Sequence, residues 1–417
     1  MKKHKVIIDT DAGVDDITAL TFVLHDPEFE IELITISSGN IKMEHAVRNA
    51  CHLLDIFEKD VPIVEGYSHR MGGTDEFAYH VHGREGFGLY VPPKTTQRKP
   101  LKVDCADAMY EIFKKYPKQV TIVILGPHTN FAHMLKKYPD ASRYVKDVVM
   151  MGGSLSGIRN NPEHRSFNIR TDAEAFKYTV DSQLNVVMCP SRIGRDVTYF
   201  SEKQVKQIGE TNEVGKFLEI VFQTYWEPDY PEKILSNCDL AAIYYITHPE
   251  FYKTKNAFID VDTEVNIGTT VGHYDRKGYF TVVQTVNREK FQDMIFKKLD
   301  EMSSLKITNK DFQDNIKGKY LDEERTAFEK EFSPNNSTSK KNSVQKKIST
   351  KSKTASVTKS KAVTKNKTAK SSSSTKPKTT TKTKEKSLAQ AKQTKTSPKT
   401  KTKTKTKPTS QAKKPQA

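Results

Sequence analysis

Beyond Phe332 the chain has no aromatic residue. From Pro334 to Ala417 it also has no arginine and a single acid, Glu385, against 25 lysines. A stretch so poor in apolar side chains and so charged cannot offset chain entropy by burying surface, which excludes a packed core there. Cysteine is scarce: Cys51, Cys105, Cys189 and Cys238 stand far apart, with no CxxC pair. That excludes a disulfide scaffold and a zinc-finger site, and it fits a reducing compartment such as the cytoplasm. No run of about 18 apolar residues occurs, so no membrane span or membrane partner is expected. The start, MKKHKVIIDTD, has only Val6, Ile7 and Ile8 as an apolar run, too short for a signal-peptide core.

What is present divides in two. The 417 residues carry a formal charge of +17. Residues 334–417 hold about +24 of it, which leaves 43 basic and 50 acidic side chains and a net of −7 in residues 1–333. The expected organisation is therefore a folded, mildly acidic body, 1–333, and a disordered Lys/Thr/Ser-rich tail, 334–417. Lys and Thr alternate strictly from Lys399 to Lys407. Such a tail suits non-specific contact with nucleic acid or another polyanion through counterion release. It offers no fixed donor array for base readout. It leaves a nuclear address open beside the cytoplasmic one, and a plain solubilising extension is the competing reading.

The body alternates short Val/Ile-rich runs with amphipathic stretches. Val6–Ile8, Ile31–Ile36, Val120–Leu125, Val145–Met150 and Val186–Met188 read as strands. Asp15–Leu24, Glu44–Phe57, Asn130–Lys136 and Ala173–Val180 read as helices. This order predicts an α/β fold with a mostly parallel sheet flanked by helices. Glu202–Thr247 reads as helical, interrupted by Gln223–Tyr230. Ala257–Val261, Thr263–Ile267 and Tyr279–Thr285 alternate like strands. Glu289–Leu299 reads as a closing helix, and the charged segment after it has room for one more.

In a parallel sheet, ligands bind at the carboxyl ends of the strands. The segments following the strands are polar or glycine-rich, and the first is the most telling. Asp9, Asp11, Asp15 and Asp16 fall within eight residues. Like charges this close need compensation. A helix N-terminus accounts for Asp15 or Asp16 but not for Asp9 and Asp11 at a strand end. A hard cation with oxygen ligands, such as Ca²⁺, accounts for them, although the spacing is not that of an EF-hand.

The run Asp9-Thr10-Asp11-Ala12-Gly13-Val14-Asp15-Asp16 resembles the DTDPGxDD signature of the inosine–uridine-preferring nucleoside hydrolases, with Ala12 in place of proline. Further elements follow in the family's order: Gly39-Asn40, the loop His82–Gly88, Leu125–Asn130, Met150–Gly153, Ser166–Asn168 with Asp172–Ala175, and Cys238-Asp239. The resemblance spans about residues 4–305. It implies hydrolysis of the N-glycosidic bond of ribonucleosides, with one bound Ca²⁺ and a dimer or tetramer. Carried over, the metal ligands are Asp11, Asp16, Asp239 and the carbonyl of Leu125, and Asp11 deprotonates the attacking water. Asp15, Asn40 and Asn168 hold ribose hydroxyls, Asn160 contacts the 5′-hydroxyl, and Met151 and Ser166 complete the substrate-binding set.

Two positions depart from the pattern. Ser166 replaces a glutamate that binds the 5′-hydroxyl, and the adjacent Arg165 and His164 leave open an anionic 5′ group. Cys238 replaces the histidine that protonates the leaving base in many members. Cys238 or His82 then remains as the proton donor, with Tyr225, Trp226 and Tyr230 as aromatic donors or stacking partners. His80 and His128 read as rim or structural residues.

Overall fold

The computed structural model describes residues 3–73, 76–154, 165–227 and 230–332. Asn160, His164 and the tail lie outside them. Among the described residues eleven strands form: β1 (His4–Thr10), β2 (Phe29–Ile36), β3 (Ile63–Glu65), β4 (Val120–Ile124), β5 (Asp147–Met151), β6 (Val186–Cys189), β7 (Phe200–Ser201), β8 (Ile234–Leu235), β9 (Tyr252–Val261), β10 (Thr270–Tyr274) and β11 (Phe280–Val286). Nine make one sheet in the order β10-β9-β11-β6-β5-β4-β1-β2-β3, while β7 and β8 form a small ribbon. From β3 to β11 the strands run parallel, and β9 and β10 add an antiparallel edge.

The Val/Ile runs explain the parallel centre. Val6, Ile7, Ile8, Ile122, Val123 and Ile124 are wholly buried, as expected where helices cover both faces. Two apolar clusters form, one containing Ile8, Leu20 and Phe217, the other Ile7, Phe113 and Phe176. Ile7 and Ile8 fall in different clusters because successive side chains of a strand point to opposite faces. Helix starts follow local chemistry: Asp104 caps Cys105–Lys115 and Asp172 caps Ala173–Asp181 through their carboxylates.

The feature that positions the site is the reversal at β1. The chain builds β1, β2 and β3 in one direction, then places β4 on the other side of β1. Asp9 pairs with Thr35 of β2 and Ile124 of β4, so the three strands end level. A crevice opens above such a switch point.

The segment Thr263–Ile267 is not a strand. The Asp262 carboxylate accepts from the backbone N–H of Glu264, Val265 and Asn266 at 2.9–3.0 Å, and Gly268 takes φ +82°. These bonds close a turn, and the strand begins at Thr270. After the helix Arg288–Glu301 come two more, Lys310–Ile316 and Leu321–Phe332. The last returns to the glycine-rich loop, where Arg84 pairs with Glu324 and Glu331 at 3.1 Å each. Among the described residues, no helix is long and apolar enough to cross a membrane.

Candidate active site

The floor of the crevice is built by the turn after β1. Asp11, Asp16 and Asp239 are wholly buried and Asp15 nearly so. Asp11 is gripped from the loop after β2, where Asn40 donates its backbone N–H to Oδ2 at 2.6 Å and its Nδ2 to Oδ1 at 2.9 Å. Asp16 Oδ1 accepts from the Thr10 hydroxyl at 2.6 Å, and its Oδ2 accepts from Gly13 N–H at 3.1 Å. Gly39 makes the approach possible: a Cβ there would lie 1.8 Å from Asp11 Oδ2. Ala12 holds φ +49° and donates its N–H to the Thr10 hydroxyl at 3.1 Å. Proline, fixed near −65° and lacking the N–H, cannot take this backbone.

Above the floor lies a cavity of about 340 Å³. Asp15, Asn40, Asn168, His82, Tyr225 and Cys238 line it, with the His82 and Tyr225 rings 5.2 Å apart. Met151, Ser166, Ser191 and the arginines Arg165, Arg170, Arg192 and Arg195 form another part of its lining. Tyr225 donates its hydroxyl to Asp15 Oδ2 at 2.7 Å. His82 Nδ1 accepts from Val14 N–H at 3.1 Å, which places the imidazole proton on Nε2. Burial lowers the His82 pKa to about 3, so the ring is neutral at pH 7, and its 3.9 Å approach to Asp15 is no ion pair. The Cys238 thiol points to the carbonyl of Ser191 at 3.4 Å. Burial, with help from Asp15 and Asp239, pushes its pKa well up, so it stays protonated.

The carboxylates share one problem. Burial pushes Asp11 and Asp239 well above the usual carboxylate range, and the neighbouring carboxylates push them further. Asp15 rises to about 7 for the same reasons, burial first. Neither oxygen of Asp239 has a hydrogen-bond partner, nor does Oδ1 of Asp15. Orphaned buried carboxylate oxygens are costly. Asp15, Asp16 and Asp239 each present a ligand atom, all within 4.8 Å of one another. The set is all hard oxygen, and a divalent cation is what such a donor set accommodates.

The residues singled out in the sequence separate clearly. Asp11, Asp15, Asp16, Asn40, His82, Met151, Ser166, Asn168, Cys238 and Asp239 converge on the floor or the cavity. The Leu125 carbonyl is at the floor and accepts from Asn168 Nδ2. Asp15 rather than Asp11 joins Asp16 and Asp239 in the tight trio, while Asn40 donates to both Asp11 oxygens. Asp9 faces elsewhere, accepting from Thr35 and Asn130 at 2.7 Å each. Trp226 and Tyr230 do not line the cavity: Lys233 sits 4.4 Å over the Trp226 ring, and the Tyr230 hydroxyl bonds Asp196. His128 is structural, bonded to Thr179 at 2.8 Å, and exposed His80 is at the cavity rim. Sequence reading missed Thr10, Ser191, Arg192 and Arg195. Thr10 stood inside the aspartate run, but Ser191–Arg195 carried no signal beyond lying just after a strand.

Two solved structures share this architecture. A plant nucleoside hydrolase, PpNRh1, superposes with a TM-score of 0.67 at 26% identity, over 72% of this chain and 99% of that one. A purine-preferring ribonucleoside hydrolase from Gardnerella vaginalis gives 0.66 at 28% identity, over 72% and 99%. The fold is thus that of the nucleoside hydrolases. The inosine-uridine preferring nucleoside hydrolase model matches residues 6–293. The non-specific ribonucleoside hydrolase RihC of Escherichia coli O127:H6 is 32% identical over 275 residues, 65% of this chain and 88% of that protein. Its counterpart in Salmonella agona is 33% identical over 271 residues, 64% and 86%. The chain belongs to the inosine-uridine preferring nucleoside hydrolase family and is a nucleoside hydrolase.

Proposed function

We propose that this protein hydrolyses the N-glycosidic bond of ribonucleosides, releasing free base and the ribose unit, with Ca²⁺ as its metal. The observation that carries this reading is the floor: buried carboxylates at a strand switch point, with both oxygens of Asp239 unpartnered. Asp11, Asp16, Asp239 and the Leu125 carbonyl would hold the ion, and Asp15 lies close enough to join them. When bound, the ion would supply positive charge that attracts ribose hydroxyls and lowers the pKa of a nearby water.

The chain's own residues carry the rest. Asp11, fixed from both oxygens by Asn40, is the base that takes the water proton. Asp15 and Asn168 orient ribose hydroxyls. As the C1′–N bond breaks, positive charge spreads over the ribose ring, and the buried carboxylates below oppose it. The departing base needs a proton or a hydrogen bond. Cys238 with its thiol and His82 with its Nε2–H line the cavity as candidate donors, and Tyr225, whose hydroxyl donates to Asp15, lines it beside His82. Asn160 would contact the 5′ end. Beyond the site, we infer a body of 1–333, a cytoplasmic location, a dimer or tetramer, and weak polyanion contact by the tail.

Uridine, inosine, cytidine and adenosine, offered with and without a chelator, test the reading. Free base from at least one, lost with the chelator and restored by Ca²⁺, is the expected result. Turnover indifferent to metal removal would sink the proposed role of the floor.

A further inference from the structure

One corner of the cavity is basic. Of its four arginines, two are matched by acids: Arg170 pairs with Glu76, and Arg195 lies 3.7 Å from Asp196. The other two are not so matched among the described residues. Arg165 Nη1 donates to the carbonyl of Ile267 at 2.8 Å, and Arg192 Nη2 to that of Gln284 at 2.9 Å. Arg165 Nε is buried without a partner. Each of these arginines adjoins a serine in the chain, and the two serines meet: Ser191 Oγ lies 3.5 Å from Ser166 Oγ. Two hydroxyls in contact and two guanidinium groups free of acids thus share the cavity lining, with Ser166 two residues along the chain from Asn168. A guanidinium fork matches phosphate geometry, and charge-assisted hydrogen bonds of this kind are the strong ones.

We propose that this corner binds phosphate and that the preferred substrate is a nucleoside 5′-monophosphate. The proposal rests on the hydrolase reading, since ribose seated with its vicinal hydroxyls on the carboxylate floor has C5′ as its remaining exocyclic carbon. A glutamate at position 166 would repel a 5′-phosphate; a serine hydroxyl donates to it, which turns rejection into acceptance. The chemistry is unchanged and balanced. The C1′–N bond breaks, a C1′–O bond to water forms, the water proton goes to Asp11, and the base leaves with a proton from His82 or Cys238. The products are free base and ribose 5-phosphate, with the phosphate ester intact.

The test compares kcat/KM for the 5′-monophosphates of uridine, cytidine, inosine and adenosine with that for each parent nucleoside, using the full chain supplied with Ca²⁺. At least one monophosphate is expected to exceed its nucleoside by about tenfold or more. The double variant Arg165→Gln/Arg192→Gln should bring that ratio to about one, and Ser166→Glu should lower it. Thermal melting of each variant establishes that it is folded. Ribose 5-phosphate should raise the melting temperature of the unaltered protein at concentrations where ribose and inorganic phosphate do not, a readout independent of turnover. Nucleosides preferred over every monophosphate, or inorganic phosphate as effective as ribose 5-phosphate, overturns this inference and leaves the hydrolase reading standing. Base release from neither class overturns both.

Discussion

The floor of the cavity and its arginine corner are made by different means. The floor is local: Asp11, Asp15 and Asp16 come from one turn after β1, held by Thr10 and by Asn40 of the adjacent loop. The corner is distributed, with Arg165-Ser166 and Ser191-Arg192 coming from separate segments. The floor concentrates negative charge that needs a cation to be tolerable, while the corner concentrates positive charge with few acids to quench it. On the proposed reading, most of the reacting carboxylates come from one compact segment, with Asp239 added from a distant helix, whereas the groups that would choose the substrate are spread over residues that can change one at a time.

The comparison breaks most sharply if the floor does not depend on metal. Metal removal should abolish turnover and lower the melting temperature, because a ligand at about 100 times its Kd contributes about 2.7 kcal/mol to stability. Asp239→Asn should abolish tight Ca²⁺ binding, read by calorimetry, while the fold persists. Gly39→Ala comes next. Its methyl cannot coexist with Asp11 in place, so the carboxylate must shift, at a cost of about 1–3 kcal/mol. Turnover should fall by about tenfold to a hundredfold with the fold retained; wild-type activity would mean that the Asp11 position is not critical. Tyr225→Phe removes one hydroxyl from Asp15 and should cost about tenfold in kcat/KM, near the usual size of a hydrogen bond to a charged group.

A further effect lies outside both regions. His52 and His128 are buried and neutral, with pKa values lowered by burial to about 3. The unfolded chain binds their protons first, so their contribution to stability is full above about pH 6.5 and is lost as pH falls toward 3. The raised carboxylates of the floor act in the opposite sense, so the test is a difference: a His128→Asn variant whose stability against urea falls from pH 6.5 to 4 as steeply as that of the unaltered protein would contradict this.

The floor was legible because its chemistry is contiguous. Four aspartates in eight residues after a Val/Ile run announce a strand end that needs compensation, and Cys238-Asp239 completes the set by resemblance. The parallel centre was legible too, because buried strands read as unbroken apolar runs. Thr263–Ile267 misled because its alternation mimics a strand, while Asp262, which closes the turn through three backbone N–H groups, lies one residue outside it. The arginine corner was mostly hidden. Arg165 was noticed beside Ser166, but Arg192 and Arg195 join it only through the packing of β5 and β6 side by side. Trp226 and Tyr230 read as donors or stacking partners because they flank Tyr225 in one aromatic run; of the three, Tyr225 alone lines the cavity.

The central claim is that Asp11 is the base over a metal-holding floor. Its most direct test is nucleoside hydrolysis by Asp11→Asn, with Ca²⁺ supplied and folding verified by melting. Asparagine keeps the shape and cannot take a proton, so kcat should fall by about 10²–10⁴-fold. A variant within about tenfold of the unaltered enzyme would contradict the account and move the base elsewhere.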